Sequence, residues 1–325
     1  MRYGLLAMSS TQDVRFNESK IAEGRQLANK LFNASRLVLL RVPEDVTVPS
    51  VAPEPTTVED RWILSRLQAA EQEITEAFDT FEFHRATQRL YGFIYAELCD
   101  WYLEMLKPRL YGTVSASDRR KRRSSDDVTR EATEFALYVL AQTLAIAHPV
   151  IPFVTEEIWS YVPGSDGLLM AHRWPHADAE LRDLDVEAEV ERAIEATERL
   201  RGWRDQLRAA PGTSVPARLE AEGYERVLEH IARLARFEFS DNGGDLVATV
   251  GVPGGRVAVL PSSGVDLEAE KQRAAERADE VRKEIARAEG KLANQGFVAK
   301  APETVVQAER DKLERLKSEL EELEG

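Results

Sequence analysis

Residues 83–108 have the sequence FHRATQRLYGFIYAELCDWYLEMLKP, in which apolar side chains recur at the spacing of an α-helix. One stripe consists of Phe83, Leu90, Ile94, Leu98, Trp101 and Met105, and a second of Tyr91, Tyr95, Tyr102 and Leu106. A helix that is apolar on most of its surface needs other helices around it. We therefore expect the central helix of a bundle, ending at Pro108 because proline cannot donate the next backbone hydrogen bond.

Helical patterns on both sides of this stretch predict the rest of the bundle. Helices are expected from Asn17 to about Leu40, after a capping box Thr56-x-x-Glu59, at Val128–Ala147 and from Pro152. The Asn17 side chain can accept a hydrogen bond from the first turn, and Pro152 at a first helical position loses no backbone bond. We assign residues 1–162 to a helical-bundle domain. Because a further helix is indicated at Arg2–Met8, the chain is expected to be cut from a longer one.

The rest of the chain is predicted to form a small α+β module and a helical hairpin. Residues 163–185 are assigned to a linker and residues 186–265 to the module, in which a charged helix precedes short β-forming runs. In residues 266–325 apolar side chains step by three and four, as in heptad seams, and Gly296 and Pro302 separate two helices. The predicted fold class is mainly α, with an antiparallel coiled-coil hairpin at the C-terminal end.

Composition restricts the class of protein. The single cysteine, Cys99, excludes an internal disulfide and indicates a reducing compartment. No apolar run approaches the roughly 20 residues that a membrane helix needs. The formal net charge of −14 argues against a protein coated in nucleic acid, so RNA would have to bind local basic patches. We expect a cytoplasmic monomer without a membrane partner.

The chain shows no pattern typical of a catalytic or metal site. Glu156 and Glu157 are adjacent, so on a helix they point about 100° apart and cannot serve one substrate as a pair. His172 and His176 have the spacing of helical metal ligands, but Trp174-Pro175 interrupts the helix between them. There is no glycine-rich phosphate loop. We predict no catalytic residue, no metal ligand and no cofactor within this chain.

Three polar segments are candidates for contact with a polyanion. The first helix has a polar face, beginning at Arg25, that carries Asn29, Asn33 and Arg36. A loop contains the adjacent cations Arg119, Arg120, Lys121, Arg122 and Arg123. The end of the hairpin carries Arg282, Lys283, Arg287, Lys291, Asn294, Phe297 and Lys300. For each segment a merely solvated surface remains the alternative, and Phe297 could either stack on a base or pack the turn.

Six strings resemble, in order, the C-terminal half of bacterial valyl-tRNA synthetase. They are MRYGLLAMSSTQDVRF, ANKLFNASR, DRWILSRL, CDWYLEMLKP, HPVIPFVTEEIW and KLANQGFVAKAPETVV. The first five resemble the anticodon-binding domain shared by the valine, isoleucine and leucine enzymes. The string GFVAKAP, at the turn of the predicted hairpin, indicates the valine member. The resemblance covers essentially the whole chain.

The resemblance implies the tRNA-binding portion of a valine–tRNA ligase. The bundle would bind the anticodon stem-loop of valine tRNA, and the coiled coil would contact the corner of the tRNA. The catalytic half, which binds ATP and Mg²⁺, and the editing domain are expected to be absent, so the chain should not aminoacylate alone. A stand-alone coiled-coil interaction protein derived from a synthetase remains an alternative, as does an enzyme completed by a separate catalytic chain.

Overall fold

A computed structural model describes residues 1–8, 17–113, 123–207, 212–241, 246–261, 267–293 and 303–324. The chain divides into two compact units, Met1–Glu191 and Arg192–Gly325. The described part of the first unit contains helices only, and the second contains a four-stranded sheet and two long helices. The predicted mainly α fold with a small α+β module is confirmed. The predicted domain boundaries stay predictions.

The first unit is a bundle whose helices follow the predicted order. They are α1 (Arg2–Leu6), α2 (Glu18–Leu39), α3 (Val58–Asp79), α4 (Phe83–Gly92), a π-helical segment (Phe93–Tyr102), α5 (Leu103–Leu110), α6 (Ser125–Ala147) and α7 (Pro152–Trp159). The Asn17 side chain caps α2 by accepting from the backbone N–H of Ser19 at 2.9 Å, as predicted. The predicted box at Thr56 is wrong by one residue, because Thr57 caps α3 through the N–H of Asp60.

The central helix runs without interruption through α4, the π-helical segment and α5, and it packs against α2, α3 and α6. Leu90, Ile94, Leu98 and Met105 are buried, as the first apolar stripe predicts. The wider π-helical turns were not predicted, since they depend on an altered hydrogen-bonding register that residue types do not specify.

The helix continues past Pro108 to Leu110, so the predicted end at Pro108 is wrong. A proline in the last turn removes one donor, but Tyr111 N–H still reaches the carbonyl of Lys107 at 3.0 Å. Burial of Arg109 and Leu110 holds these last residues in helical conformation. Tertiary contacts therefore outweigh the local helix-breaking tendency of proline.

A buried ion pair joins the central helix to α3. The Arg109 guanidinium donates to Asp60 at 2.7 Å and to Glu59 at 3.2 Å, and the Tyr102 hydroxyl donates to Asp60 at 3.2 Å. Burial raises the pKa of Asp60 to about 6, and the Arg109 charge opposes this rise. Asp60 is therefore ionised at neutral pH and needs its cationic partner.

Helix α1 packs against α2 where the Tyr3 ring lies over Gly24. A Cβ atom at Gly24 would lie 2.7 Å from Cδ1 of Tyr3, so no larger residue fits there without movement. The Tyr3 hydroxyl donates to Glu23, and its ring lies 6.3 Å from the ring of Tyr91 on α4. These contacts fix α1 against two helices of the bundle.

The second unit contains a mixed sheet. Its elements are α8 (Leu184–Gln206, which includes the boundary between the units), β1 (Val215–Ala221), α9 (Leu228–Ala235), β2 (Phe237–Phe239), β3 (Ala248–Val252) and β4 (Gly255–Val259). The strand order is β2-β1-β4-β3, with β1 parallel to β2 and antiparallel to β4. Strands β3 and β4 form a hairpin through Gly254, which adopts a φ of +77°. The turn predicted at Asn242-Gly243-Gly244 lies outside the described residues.

The two C-terminal helices, α10 (Leu267–Ala293) and α11 (Glu303–Glu324), form the arm. Ion pairs between Arg277 and Glu319 (2.8 Å) and between Lys291 and Glu309 (3.1 Å) show that the helices are antiparallel. The buried seam between them consists of Ala278, Val281, Ala288, Val306 and Leu316. The described residues thus confirm the predicted helical hairpin.

Replacing Arg109 should destabilise the bundle far more than replacing an exposed arginine. Arg109→Met leaves Asp60 buried without a counter-charge, so we expect a loss of roughly 3–5 kcal/mol in urea unfolding at pH 7. The loss should shrink near pH 5, where Asp60 can take up a proton. Arg130→Met, which breaks an exposed pair with Asp45, should cost under about 1 kcal/mol. Equal effects of the two changes would contradict this account.

The contact between Tyr3 and Gly24 can be tested with two glycine-to-alanine changes. Gly24→Ala should cost about 1–3 kcal/mol, because the Tyr3 ring must move. Gly92→Ala, at a position with no atom within 4 Å of the added Cβ, should be neutral or stabilising by up to about 1 kcal/mol. Faster hydrogen exchange in residues 2–6 of the Gly24→Ala variant alone would locate the defect at α1.

Candidate nucleic-acid interface

The outer face of α2 contains Arg25, Gln26, Asn29, Phe32, Asn33 and Arg36, all of which are exposed. At 100° per residue these side chains occupy a sector about 120° wide. The buried residues Leu27, Leu31 and Val38 lie on the opposite side of the helix. The structure therefore brings together the three predicted contact residues Asn29, Asn33 and Arg36 on one accessible surface.

Phe32 is a member of this surface that was not predicted from the sequence. Its ring is 37% exposed, one turn from both Asn29 and Arg36. The spacing of three and four residues from these polar neighbours was the available signal, but an apolar residue in a helix is normally assigned to the core. An exposed ring between amides and cations provides a face on which a nucleobase can stack.

Among the described residues, no neighbouring carboxylate pairs with the cations of this face. Arg25 and Arg36 form no ion pair with any residue in the described part of the chain, and residues 24–43 contain no Asp or Glu. Several cations elsewhere in the described part of the first unit are paired: Lys20 with Glu23, Arg85 with Glu82 and Arg130 with Asp45. The exposed Arg41 and Arg173 also have no ion pair with a described residue, and Arg41 lies over the Tyr111 ring. The outer face of α2 thus presents unpaired cations on an otherwise acidic protein.

Contacts on the neighbouring side of α2 fix the direction of this face. The Lys30 ammonium lies 2.6 Å from Asp100 and 3.4 Å from the centre of the Tyr95 ring, both in the π-helical segment. The Tyr95 ring stacks on Tyr91 at 4.9 Å. Burial and nearby Tyr95 raise the pKa of Tyr91, which keeps this hydroxyl neutral. A charge pair and a cation–π contact together restrict the rotation of α2 about its axis.

The predicted basic loop is only partly described. Arg119, Arg120, Lys121 and Arg122 lie outside the described residues. Arg123 forms an ion pair with Glu131 on α6, and its side chain is only 19% exposed. The charge of Arg123 is therefore matched by a carboxylate within the fold. A phosphate-binding role for this loop stays a prediction.

The arm carries a second group of unpaired cations. Lys283 and Arg287 are exposed and form no ion pair with any described residue. Arg282 instead pairs with Asp279 at 2.6 Å, and Lys291 pairs with Glu309 on α11. Asn294, Phe297 and Lys300 lie outside the described residues.

Arg310 on α11 was not predicted and belongs with this group. The cross-helix pairs Glu284–Lys312 and Lys291–Glu309 place it at the level of Arg287 on the facing helix. It is exposed and has no ion-pair partner in the described part of the arm. Pairing across the hairpin therefore decides which arm cations remain available, and sequence position alone does not.

Glu156 and His172, which were considered as catalytic or metal-binding candidates, make structural contacts instead. Glu156 accepts hydrogen bonds from the backbone N–H groups of Leu169 and Met170, and the ring of His172 packs edge-on against Trp159. Throughout the described ranges, no three His, Cys, Asp or Glu residues are placed to hold a metal ion. None of the helices searched there has the length and apolar character to cross a bilayer.

Families of known proteins match both the helical bundle and the arm. A family model for the anticodon-binding domain of tRNA ligase matches residues 60–219, and one for the valyl-tRNA synthetase tRNA-binding arm matches residues 266–325. Valine–tRNA ligase of Carboxydothermus hydrogenoformans is 36% identical over 96% of this chain, and that of Bacillus subtilis is 30% identical over 96%. A crystal structure of LeuRS from Agrobacterium radiobacter with tRNA is 18% identical to this chain, with a TM-score of 0.40. The match covers 56% of this chain and 20% of that chain. A likeness this weak supports no conclusion.

The matches to the curated relatives extend over nearly all of this chain but only part of theirs. The chain spans 35% of the Carboxydothermus hydrogenoformans protein and 36% of the Bacillus subtilis protein. The two family models together match about two thirds of the chain. The chain belongs to the valyl-tRNA synthetase family, and it corresponds to the C-terminal part of the family's members, which holds the anticodon-binding domain and the tRNA-binding arm.

Proposed function

We propose that the outer face of α2 binds the anticodon stem-loop of tRNA. The observation that carries this proposal is a helix face with two arginines that lack a described ion-pair partner, three amides and an exposed aromatic ring, and no carboxylate of its own. Arg25 and Arg36 would neutralise phosphates. Asn29 and Asn33 would offer donors and acceptors to base edges, and Phe32 would stack on an unpaired base. The combination is typical of surfaces that read single-stranded loops.

We further propose that the arm contacts a different part of the same tRNA, at its corner. Lys283, Arg287 and Arg310 would act as point charges towards phosphates on a two-helix rod. Contacts of this kind add affinity but little sequence specificity. Any preference for valine tRNA would then come mainly from the bundle.

For the whole protein we propose the activity named in its relatives, the ATP-dependent joining of valine to its tRNA. This chain alone would not perform that reaction, and ATP and Mg²⁺ would bind outside these residues. Our proposal is supported by the coverage of only about a third of the relatives' length. The catalytic portion could be part of the same polypeptide or a separate chain. We also propose that the protein is monomeric and acts in the cytoplasm.

The phosphate contacts of α2 should appear in the salt dependence of binding. With the anticodon stem-loop RNA as ligand, an Arg25→Ala/Arg36→Ala variant should make the negative slope of log K against log salt shallower by about 1.5. The control is Arg85→Ala/Arg130→Ala, which removes two exposed arginines that are already paired. An unchanged slope in the first variant, or an equal change in the control, would contradict the assignment.

Stacking by Phe32 should be visible as a loss of affinity with little salt dependence. Phe32→Ala should weaken binding of the stem-loop by about 5- to 100-fold, in line with about 1–3 kcal/mol per stacked base. Fluorescence anisotropy with valine and non-valine stem-loops measures both the loss and the specificity. Full affinity in the folded variant would remove Phe32 from the interface.

Full-length tRNA and the isolated stem-loop should separate the arm from the bundle. A Lys283→Ala/Arg287→Ala/Arg310→Ala variant should bind full-length tRNA several-fold more weakly and the stem-loop with unchanged affinity. The matched control is Arg277→Ala/Lys291→Ala/Lys317→Ala, whose cations are paired across the hairpin. An equal loss with both ligands would show that the arm does not contact a separate part of the tRNA.

A further inference from the structure

Residues 172–183, here called the strap, lie against α3, where three α3 side chains accept hydrogen bonds from the strap. Trp174 Nε1 donates to Thr75 Oγ1 at 2.8 Å, and the Asp178 N–H donates to Gln68 Oε1 at 2.6 Å. The Asp183 N–H donates to Ser65 Oγ at 2.9 Å. The strap contains one short 3₁₀ turn, Ala179–Leu181, and is otherwise irregular. It is attached to α3 by these three bonds, by the edge-on contact of the Trp174 ring with Phe78 at 5.9 Å and by the ion pair of Asp183 with Arg61 at 3.9 Å.

Glu71 occupies the same side of α3, between Gln68 and Thr75, but it forms no such bond. Its side chain is 2% exposed, and its Oε1 atom has no hydrogen-bonding partner among the described residues. No described cation pairs with this carboxyl group. An unpaired buried carboxylate is costly, whereas a protonated carboxyl is tolerated.

The groups that face this position come from α6 and from the strap. Burial, followed by the nearby carboxyl groups of Glu71 and Asp178, raises the pKa of Tyr138 on α6 to about 12. Tyr138 is thus neutral, and Asp178 contributes a negative charge close by. Burial alone raises the pKa of Glu71 to about 8. None of these neighbours stabilises the ionised form of Glu71.

We propose that the strap is a pH-dependent latch, closed over α3 while Glu71 is protonated and released when Glu71 ionises. Ionisation requires water or a counter-charge at the carboxyl group. Helices α3 and α6 belong to the buried core, whereas the strap is largely irregular and most of its residues are exposed. Displacing the strap is therefore the least costly way to hydrate Glu71.

The direction of the pH dependence follows from proton linkage. The closed strap holds one proton more than the open strap, because the pKa of Glu71 is raised only in the closed state. The closed state is favoured most below the ordinary glutamate pKa of about 4.3. Opening then increases by up to about tenfold per pH unit and levels off near pH 8.

Trypsin cleavage after Arg173 and Arg182, followed by mass spectrometry at pH 6 and pH 8, tests the proposal. We expect the wild-type rate to rise at least tenfold more between these pH values than the rate in Glu71→Gln, which cannot ionise. Comparing variants cancels the pH dependence of trypsin itself. Glu76→Gln, which changes an exposed carboxyl group on the same helix, should keep the wild-type response.

Two further measurements make the outcome decisive. Thr75→Val, which removes the bond to Trp174, should speed cleavage at both pH values and keep the pH response. Hydrogen exchange of residues 172–183 in the wild-type chain, corrected for intrinsic rates, should rise between pH 6 and pH 8 relative to α6. A flat exchange ratio, or equal pH responses in wild type and Glu71→Gln, would overturn the proposal.

Discussion

The guanidinium of Arg109, buried against Asp60 and Glu59, is the contact on which the bundle depends. It lies at the end of the central helix and reaches the first turn of α3, while the Tyr102 hydroxyl donates to Asp60 from about two turns earlier. Removing one member of such a group leaves a charge in an apolar environment, whereas the intact group satisfies all its members. The same contact explains why the helix persists beyond Pro108. The central helix and α3 are thereby held in one register, and α2 packs onto the π-helical segment of the central helix.

Charge pairing separates structural cations from those available to a ligand. In the described part of the first unit, most arginines and lysines face a carboxylate at ion-pair distance, whereas Arg25 and Arg36 on the outer face of α2 do not. The arm shows the same division, since cross-helix pairs use Arg277, Lys291 and Lys317 and leave Lys283, Arg287 and Arg310. A net charge of −14 is compatible with RNA binding because cations without a described carboxylate partner are available at these two places.

Sequence patterns predicted much of this fold because helical periodicity and caps are local properties. The apolar stripe of residues 83–108, the Asn17 cap and the heptads of the arm needed no knowledge of distant partners. The π-helical segment and the continuation past Pro108 depend on tertiary contacts and were missed. Asn29, Asn33 and Arg36 could be grouped by spacing, whereas the pairing of Arg123 with Glu131 and of Arg282 with Asp279 required coordinates. The contribution of Phe32 became visible only once its exposure was known.

The small residues in the seam of the arm have an energetic consequence. Ala278 and Ala288 bury one methyl group each, far less apolar surface than leucine would at the same positions. A two-helix hairpin with such a seam gains little from burial and opens at a modest free-energy cost. Any RNA that binds only the closed hairpin contributes to its stability in proportion to the logarithm of its concentration over the dissociation constant. If the arm binds tRNA as proposed, the fraction of intact arms would rise with the concentration of free tRNA, so that the ligand would help to order the element that binds it.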